Sequence, residues 1–284
     1  MLIDQVLPLV VAEKSTLRER LIVEAKKNGM MDADTTSLLA DVPAQLLDAG
    51  AFLDKLTTLW RYEFGIPFNV GNSHYWGTHM WVPVGNLFIA LLCARTRLSD
   101  IQFNDYVARL SNPEKHQASL VEMIPAQKVD ATVPLEFEVA GLGAGNRTVD
   151  WVLHPGHGPY VLLDVKNRTA DFIKQAEQMA ADPSAQVPIH DPALLFRSIE
   201  EKFLPSDPDV QLQGAWICTH IQQDEQLLGM SFSALSADKV HFAILGDWES
   251  DAYVLARRPE DRLLLLDLFR LQLSSRFTFR GPAS

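Results

Sequence analysis

TVDWVLHPGHGPYVLLDVKNR, residues 148–168, sets Asp150, Asp164 and Lys166 inside two apolar runs parted by His-Pro-Gly-His-Gly-Pro. Side chains alternate along a strand, so Asp164 and Lys166 share one face while Leu163 and Val165 take the other. In the first run Val149, Trp151 and Leu153 form an apolar face, and Asp150 lies opposite with Thr148 and Val152. If 148–153 and 160–166 pair as a hairpin, both carboxylates reach one place with the ammonium beside them.

Outward from this stretch, VPLEFEVAG (133–141) alternates, with Glu136 and Glu138 opposite Val133, Leu135, Phe137 and Val139, as a half-buried strand does. LGAGN supplies the turn before the second strand; its GAG lacks the following Lys-Ser/Thr of a phosphate loop. Upstream, PEKHQASLVEMIPAQKV (113–129) reads as a helix that Pro125 kinks or ends early. Downstream, ADFIKQAEQMAAD (170–182) reads as an amphipathic helix, and 182–209 as a Pro/Asp-rich surface insertion around the short helix DPALLFRSIEEKF. VQLQGAWICTHI and HFAILGDW are strands, and PEDRLLLLDLFRLQLSSRF is a closing helix.

Residues 1–110 have helical character. AEKSTLRERLIVEAKKNGM ends in Asn-Gly, a helix terminator; residues 35–65 carry Leu and Phe at three-and-four spacing; PVGNLFIALLCARTRLS is a more buried helix. Between them IPFNVGNSHYWGTHMW (66–81) is dense in aromatics and His. Its Trp76 and Trp81 are candidate substrate contacts, since indoles stack on bases, although such loops also pack by their own aromatics. The expected organisation is a helical N-terminal region, 1–110, and an α/β domain, 111–284, built on a mixed sheet flanked by helices.

The 284 residues suffice for a large core, and 47% are apolar. The net charge of −11 disfavours broad attraction to polyanions, but a local basic groove or a bound metal reverses the field where it matters. Cys93 and Cys218 lie in apolar contexts, LLCAR and AWICTH, consistent with a reducing compartment. Without a leader-like start or a membrane-length apolar run, the chain reads as soluble and cytoplasmic, with no membrane partner.

Two carboxylates and a lysine on one strand face are the set that metal-assisted phosphodiester hydrolysis uses: hard oxygens hold Mg²⁺, and the lysine orients or deprotonates water. A charge-balanced, solvated sheet face uses the same residues. Residues 113–180 resemble the core of the PD-(D/E)XK nuclease superfamily, the restriction-endonuclease-like fold, with an Asp on the second strand and Asp/Glu-x-Lys on the third. Asp150 and Asp164-Val165-Lys166 match that pattern, the first acid fourteen residues upstream of the second.

By that resemblance Asp150 and Asp164 hold Mg²⁺ (or Mn²⁺), and Glu122 in SLVEM is the helix glutamate that many members add. Gln175 or Gln178 matches a glutamine on the following helix, and Asn167 is the residue after the lysine. The resemblance implies a nuclease, DNA favoured over RNA, with the helical region serving specificity, homodimerisation or partner binding. The rival is a non-catalytic interaction or nucleic-acid-binding protein that keeps the fold. Further candidates are His154 and His157 as substrate contacts, remote if the turn lies at the far end of the hairpin, and Glu138 as an added ligand. Replacing either Asp164 or Lys166 is expected to cost little stability, since like charges cluster at a metal-free site.

Overall fold

The computed structural model describes residues 17–42, 44, 83–112, 115–167, 192–218, 225–246 and 251–273. They group into two compact units, which divide between Leu120 and Val121.

The first unit is helical. Helix α1, Leu17–Lys27, buries Leu21 and Ala25 and stops where expected. Gly29 turns the chain with φ of 73°, and the Asn28 side-chain amide donates to the Glu24 carbonyl at 2.8 Å. Helix α2, Asp32–Ala40, is followed by α3, Pro83–Arg97, against which α1, α2 and the next helix all pack. That next helix, α4, Asp100–Leu110, starts in a capping box: Ser99 accepts from the Gln102 amide while the Gln102 side chain accepts from the Ser99 amide. Cys93 is buried in this unit, and burial pushes its thiol up to about 11.

Helix α5, His116–Glu122, crosses the division. Met123 then breaks the run, and Pro125 sits in the first turn of α6, Ile124–Lys128, where its missing N–H costs nothing.

The second unit is a mixed seven-stranded sheet in sequential order: β1 Leu135–Val139, β2 Val149–Leu153, β3 Tyr160–Asn167, β4 Gln211–Cys218, β5 Phe242–Gly246, β6 Asp251–Ala256 and β7 Gln272–Leu273. β1–β2–β3 is an antiparallel meander; β3–β4 and β4–β5 are parallel, β5–β6 antiparallel and β6–β7 parallel. The parallel crossovers contain helix α7, Pro192–Glu200, and helix α8, Glu225–Ser233.

One sheet face carries Val152, Leu162, Ala215, Ile217 and Ala243, packed under Phe196 and Ile199 of α7, Phe203 just beyond it, and Leu228 and Phe232 of α8. The other face carries Phe137, Trp151, Leu163 and Trp216. Trp216 meets Phe269, just past helix α9 (Pro259–Leu268), edge-on at 5.4 Å between ring centroids.

Two sequence expectations change here. Residues 192–203 are no surface excursion: Phe196, Ile199 and Phe203 are fully buried, and their spacing is the apolar stripe of a helix docked on a sheet. The closing helix ends at Leu268 instead of running to 277, since Arg270 turns the chain with φ of 51° into the short β7. Among the described residues no helix is long and apolar enough to cross a membrane.

Close packing at the sheet centre and one buried histidine give two checks. A Cβ at Gly214 would lie 2.1 Å from the Phe242 carbonyl oxygen on β5, so Gly214→Ala forces the strands apart. Chemical denaturation should show a loss of about 1–3 kcal/mol or more, as for overpacked cores. His241 is buried and accepts the Gln213 amide on Nδ1 at 3.1 Å, locking β5 to β4.

Burial lowers the His241 pKa; Asp261 opposes this, and Arg258 adds to it. Because the folded-state pKa lies below the unfolded value, the folded form binds fewer protons, and stability falls as pH drops below the ordinary histidine range. His241→Gln should flatten part of the fall measured between about pH 7.5 and pH 5.

Candidate active site

The register of β2 on β3 builds the site. Trp151 pairs with Leu163, Val152 with Leu162 and Leu153 with Val161. Continued by one residue, the same register sets Asp150 opposite Asp164 on the face that carries Val152 and Leu162. The paired ladder stops there, and the Asp150 carboxylate takes over, its Oδ2 accepting the Val165 amide at 2.6 Å. This bond fixes the carboxylate's orientation and leaves Oδ1 turned toward the cluster.

Asp164 is 1% exposed, and two ammonium groups compensate its charge. Lys166 Nζ lies 2.5 Å from Asp164 Oδ2, an ion pair outside hydrogen-bonding geometry, since that oxygen has no hydrogen-bond donor. Lys202 Nζ donates to Asp164 Oδ1 and lies 3.5 Å from Asp150 Oδ1. It therefore stands between the two carboxylates. Burial lowers the Lys166 pKa; the Asp150 carboxylate opposes this, and the Arg147 guanidinium adds to it. The result is an ammonium held less firmly protonated than an ordinary lysine.

Lys202 was not legible as a site residue. It follows α7, and its backbone is tied at both ends: its amide donates to Ile199 O at 3.0 Å, and its carbonyl accepts the Ala144 amide at 2.7 Å. The Phe196/Ile199/Phe203 stripe was the available signal, because Lys202 lies at its edge.

Among the described residues, His154, His157 and Asn167 lie apart from this cluster. Glu122 lies at the end of α5, and its carbonyl accepts Trp151 Nε1 at 2.6 Å. Trp151 projects from the face opposite Asp150, so that contact belongs to the other side of the sheet. Glu138 is exposed with φ of 53°, which takes it out of regular strand geometry. His154 lies four residues along from Asp150, roughly 13 Å at strand rise, and its Nε2 pairs with Glu136 Oε1 at 2.6 Å. His157 is exposed in the same turn. The hairpin thus carries both histidines away from the carboxylates. Asn167, one residue beyond Lys166, falls on the opposite face by strand alternation. Gln175, Gln178, Trp76 and Trp81 lie outside the described residues.

Among the described residues no three His, Cys, Asp or Glu side chains gather as a ligand set. What does gather is an oxygen from each of two carboxylates, turned toward one positive centre. Mg²⁺ is commonly held by one or two carboxylates with water and substrate oxygens completing the shell, so the donor chemistry fits a hard dication once Lys202 moves aside. No family model, curated protein or solved structure matches the chain.

The geometry reverses the expected cost of substitution. Asp164 is embedded between two cations, not repelled by a bare carboxylate neighbour. Asp164→Asn would leave the two ammoniums facing each other with only Asp150 to balance them. Breaking a buried pair costs several kcal/mol, but Lys202 and Lys166 keep 14% and 29% side-chain exposure and can turn partly to water. Chemical denaturation should therefore show a loss of roughly 1–3 kcal/mol, against a smaller change for Lys166→Met, which removes a partly desolvated charge.

Proposed function

We propose that the chain hydrolyses phosphodiester bonds of nucleic acid, DNA favoured over RNA, with Mg²⁺ (or Mn²⁺) held by Asp150 and Asp164 in a restriction-endonuclease-like core. The observation that carries this reading is that one ammonium, Lys202, reaches both the Asp150 and the Asp164 carboxylates on the face that also presents Lys166. A hard dication bound by the two carboxylates supplies Lewis-acid polarisation of a phosphoryl oxygen.

The chain's own residues do the rest. Asp150 is oriented by the Val165 amide, so its ligand oxygen is set before substrate arrives. Lys166, whose pKa burial lowers, acts as a neutral amine that takes a proton at Nζ from the attacking water, and the ammonium so formed faces the charge that grows on the phosphate. Arg147 lies within electrostatic reach of Lys166. Lys166 and Lys202 lie on the two carboxylates and Arg147 adds a third cation within reach of Lys166, a local excess of positive charge in a chain of net charge −11 that favours a phosphate here. The buried thiols of Cys93 and Cys218, neither in a disulfide, support a reducing, cytoplasmic setting.

A second reading is favoured by the charge balance of the cluster. Two aspartates and two lysines neutralise one another, so the quartet serves as a structural clasp in a non-catalytic relative of the fold.

Incubation with single- and double-stranded DNA and RNA in Mg²⁺, Mn²⁺ or EDTA separates the two. Cation-dependent cleavage is expected, lost at least about a hundred-fold in both Lys166→Met and Asp164→Asn, as when a group stabilising the transition state is removed. No cleavage of any of the four substrates under either cation would leave the structural clasp.

A further inference from the structure

The Lys202 ammonium stands at the point toward which the two carboxylates turn. Its backbone has little freedom to follow a ligand. The Ala144 amide holds its carbonyl, and a Cβ on Gly143 would already lie 3.0 Å from that oxygen, so the β1–β2 turn packs directly on this point of the chain. Phe203, the next residue, is fully buried in the core under α7. Only the four-carbon side chain is left to move, and its 14% exposure gives it a way to water.

We propose that Lys202 is an internal counter-ion for the acidic pair, occupying the cation position between Asp150 and Asp164 and yielding it when a divalent metal binds. This rests on the cation-binding reading above. A neutralised carboxylate pair is stable without metal, whereas a bare one would repel itself at about a cross-strand spacing in a buried setting. Loading is then an exchange: the ammonium leaves for solvent as the dication enters, with no proton transferred. The site binds more weakly than its two carboxylates alone would, and fills only where the cation concentration displaces the tethered competitor.

Lys166 does not serve this role equally. It contacts Asp164 on the other oxygen, Oδ2, and leaves Oδ1 to Lys202.

The test is Mn²⁺ titration by calorimetry, with melting temperature read in EDTA and in Mn²⁺, on wild type, Lys202→Met, Lys202→Gln and Lys202→Arg. Lys202→Met should bind Mn²⁺ at least ten-fold more tightly than wild type, melt lower in EDTA, and gain more from Mn²⁺. Lys202→Gln reports the same if the Met variant does not fold. Lys202→Arg keeps the charge and should bind no more tightly than wild type.

Wild type that fails to bind while Lys202→Met binds also supports the proposal. Binding by wild type with no gain in either neutral variant overturns the counter-ion role and leaves the metal site standing. An equal gain in Lys202→Arg overturns it as well. No Mn²⁺ binding by wild type or by either neutral variant overturns the cation-binding reading itself, and the proposal with it.

Discussion

Pairing β2 with β3 in the register Trp151↔Leu163 is the constraint on which the second unit depends. It sends Trp151 and Leu163 into the layer with Phe137 and Trp216, and it sets Asp150 opposite Asp164 on the other face. A slip of β2 by one residue would turn Asp150 into the tryptophan layer, away from Asp164, and bring Trp151 to the other face, so the hydrophobic pattern fixes the acidic pair as firmly as it fixes the strand. The pair lies at the last rung of the hairpin, where the Asp150 carboxylate replaces a ladder bond by accepting the Val165 amide. Two like charges enter a low-dielectric setting there only if cations come with them. Lys166 comes from the same strand, and Lys202 from the segment after α7, which is held over that face by Phe196, Ile199 and Phe203. Core packing and the charge cluster are thus one arrangement.

That arrangement concentrates positive charge in an acidic protein. Arg147, Lys166 and Lys202 come from the β1–β2 turn, β3 and the α7 end, and the backbone bond from Ala144 to Lys202 ties the first of these elements to the third. A chain of net charge −11 has no general affinity for phosphate, and the proposed function looks to these three cations for its substrate contact.

Strand alternation made much of this legible in the sequence. The meander, the shared face of Asp164 and Lys166, and the approach of Asp150 all follow from period-two patterning over short runs. Pro125 announced the break between α5 and α6, and Asn28-Gly29 the end of α1. The misses have physical reasons. Composition rich in Pro, Asp and Ser suggested a surface loop at 182–209 and hid the three-and-four spacing of Phe196, Ile199 and Phe203, hence also Lys202. Strand β6, DAYVLA, is a short run between neighbours that read as loop and helix, and β7 is only two residues long. His154 and His157 were adjacent in sequence to the right strands but sit at the wrong end of them. Glu122 entered by the family pattern alone, and what is seen of it is a backbone carbonyl that accepts Trp151 Nε1.

The central claim is that the point between Asp150 and Asp164 is a cation site that an ammonium holds in the absence of metal. Anomalous diffraction from crystals soaked in Mn²⁺ tests it most directly. The account predicts a peak between Asp150 Oδ1 and Asp164 Oδ1, with the Lys202 side chain turned out to solvent. Lys202 still seated between the two carboxylates at saturating Mn²⁺, with no peak beside them, would contradict it.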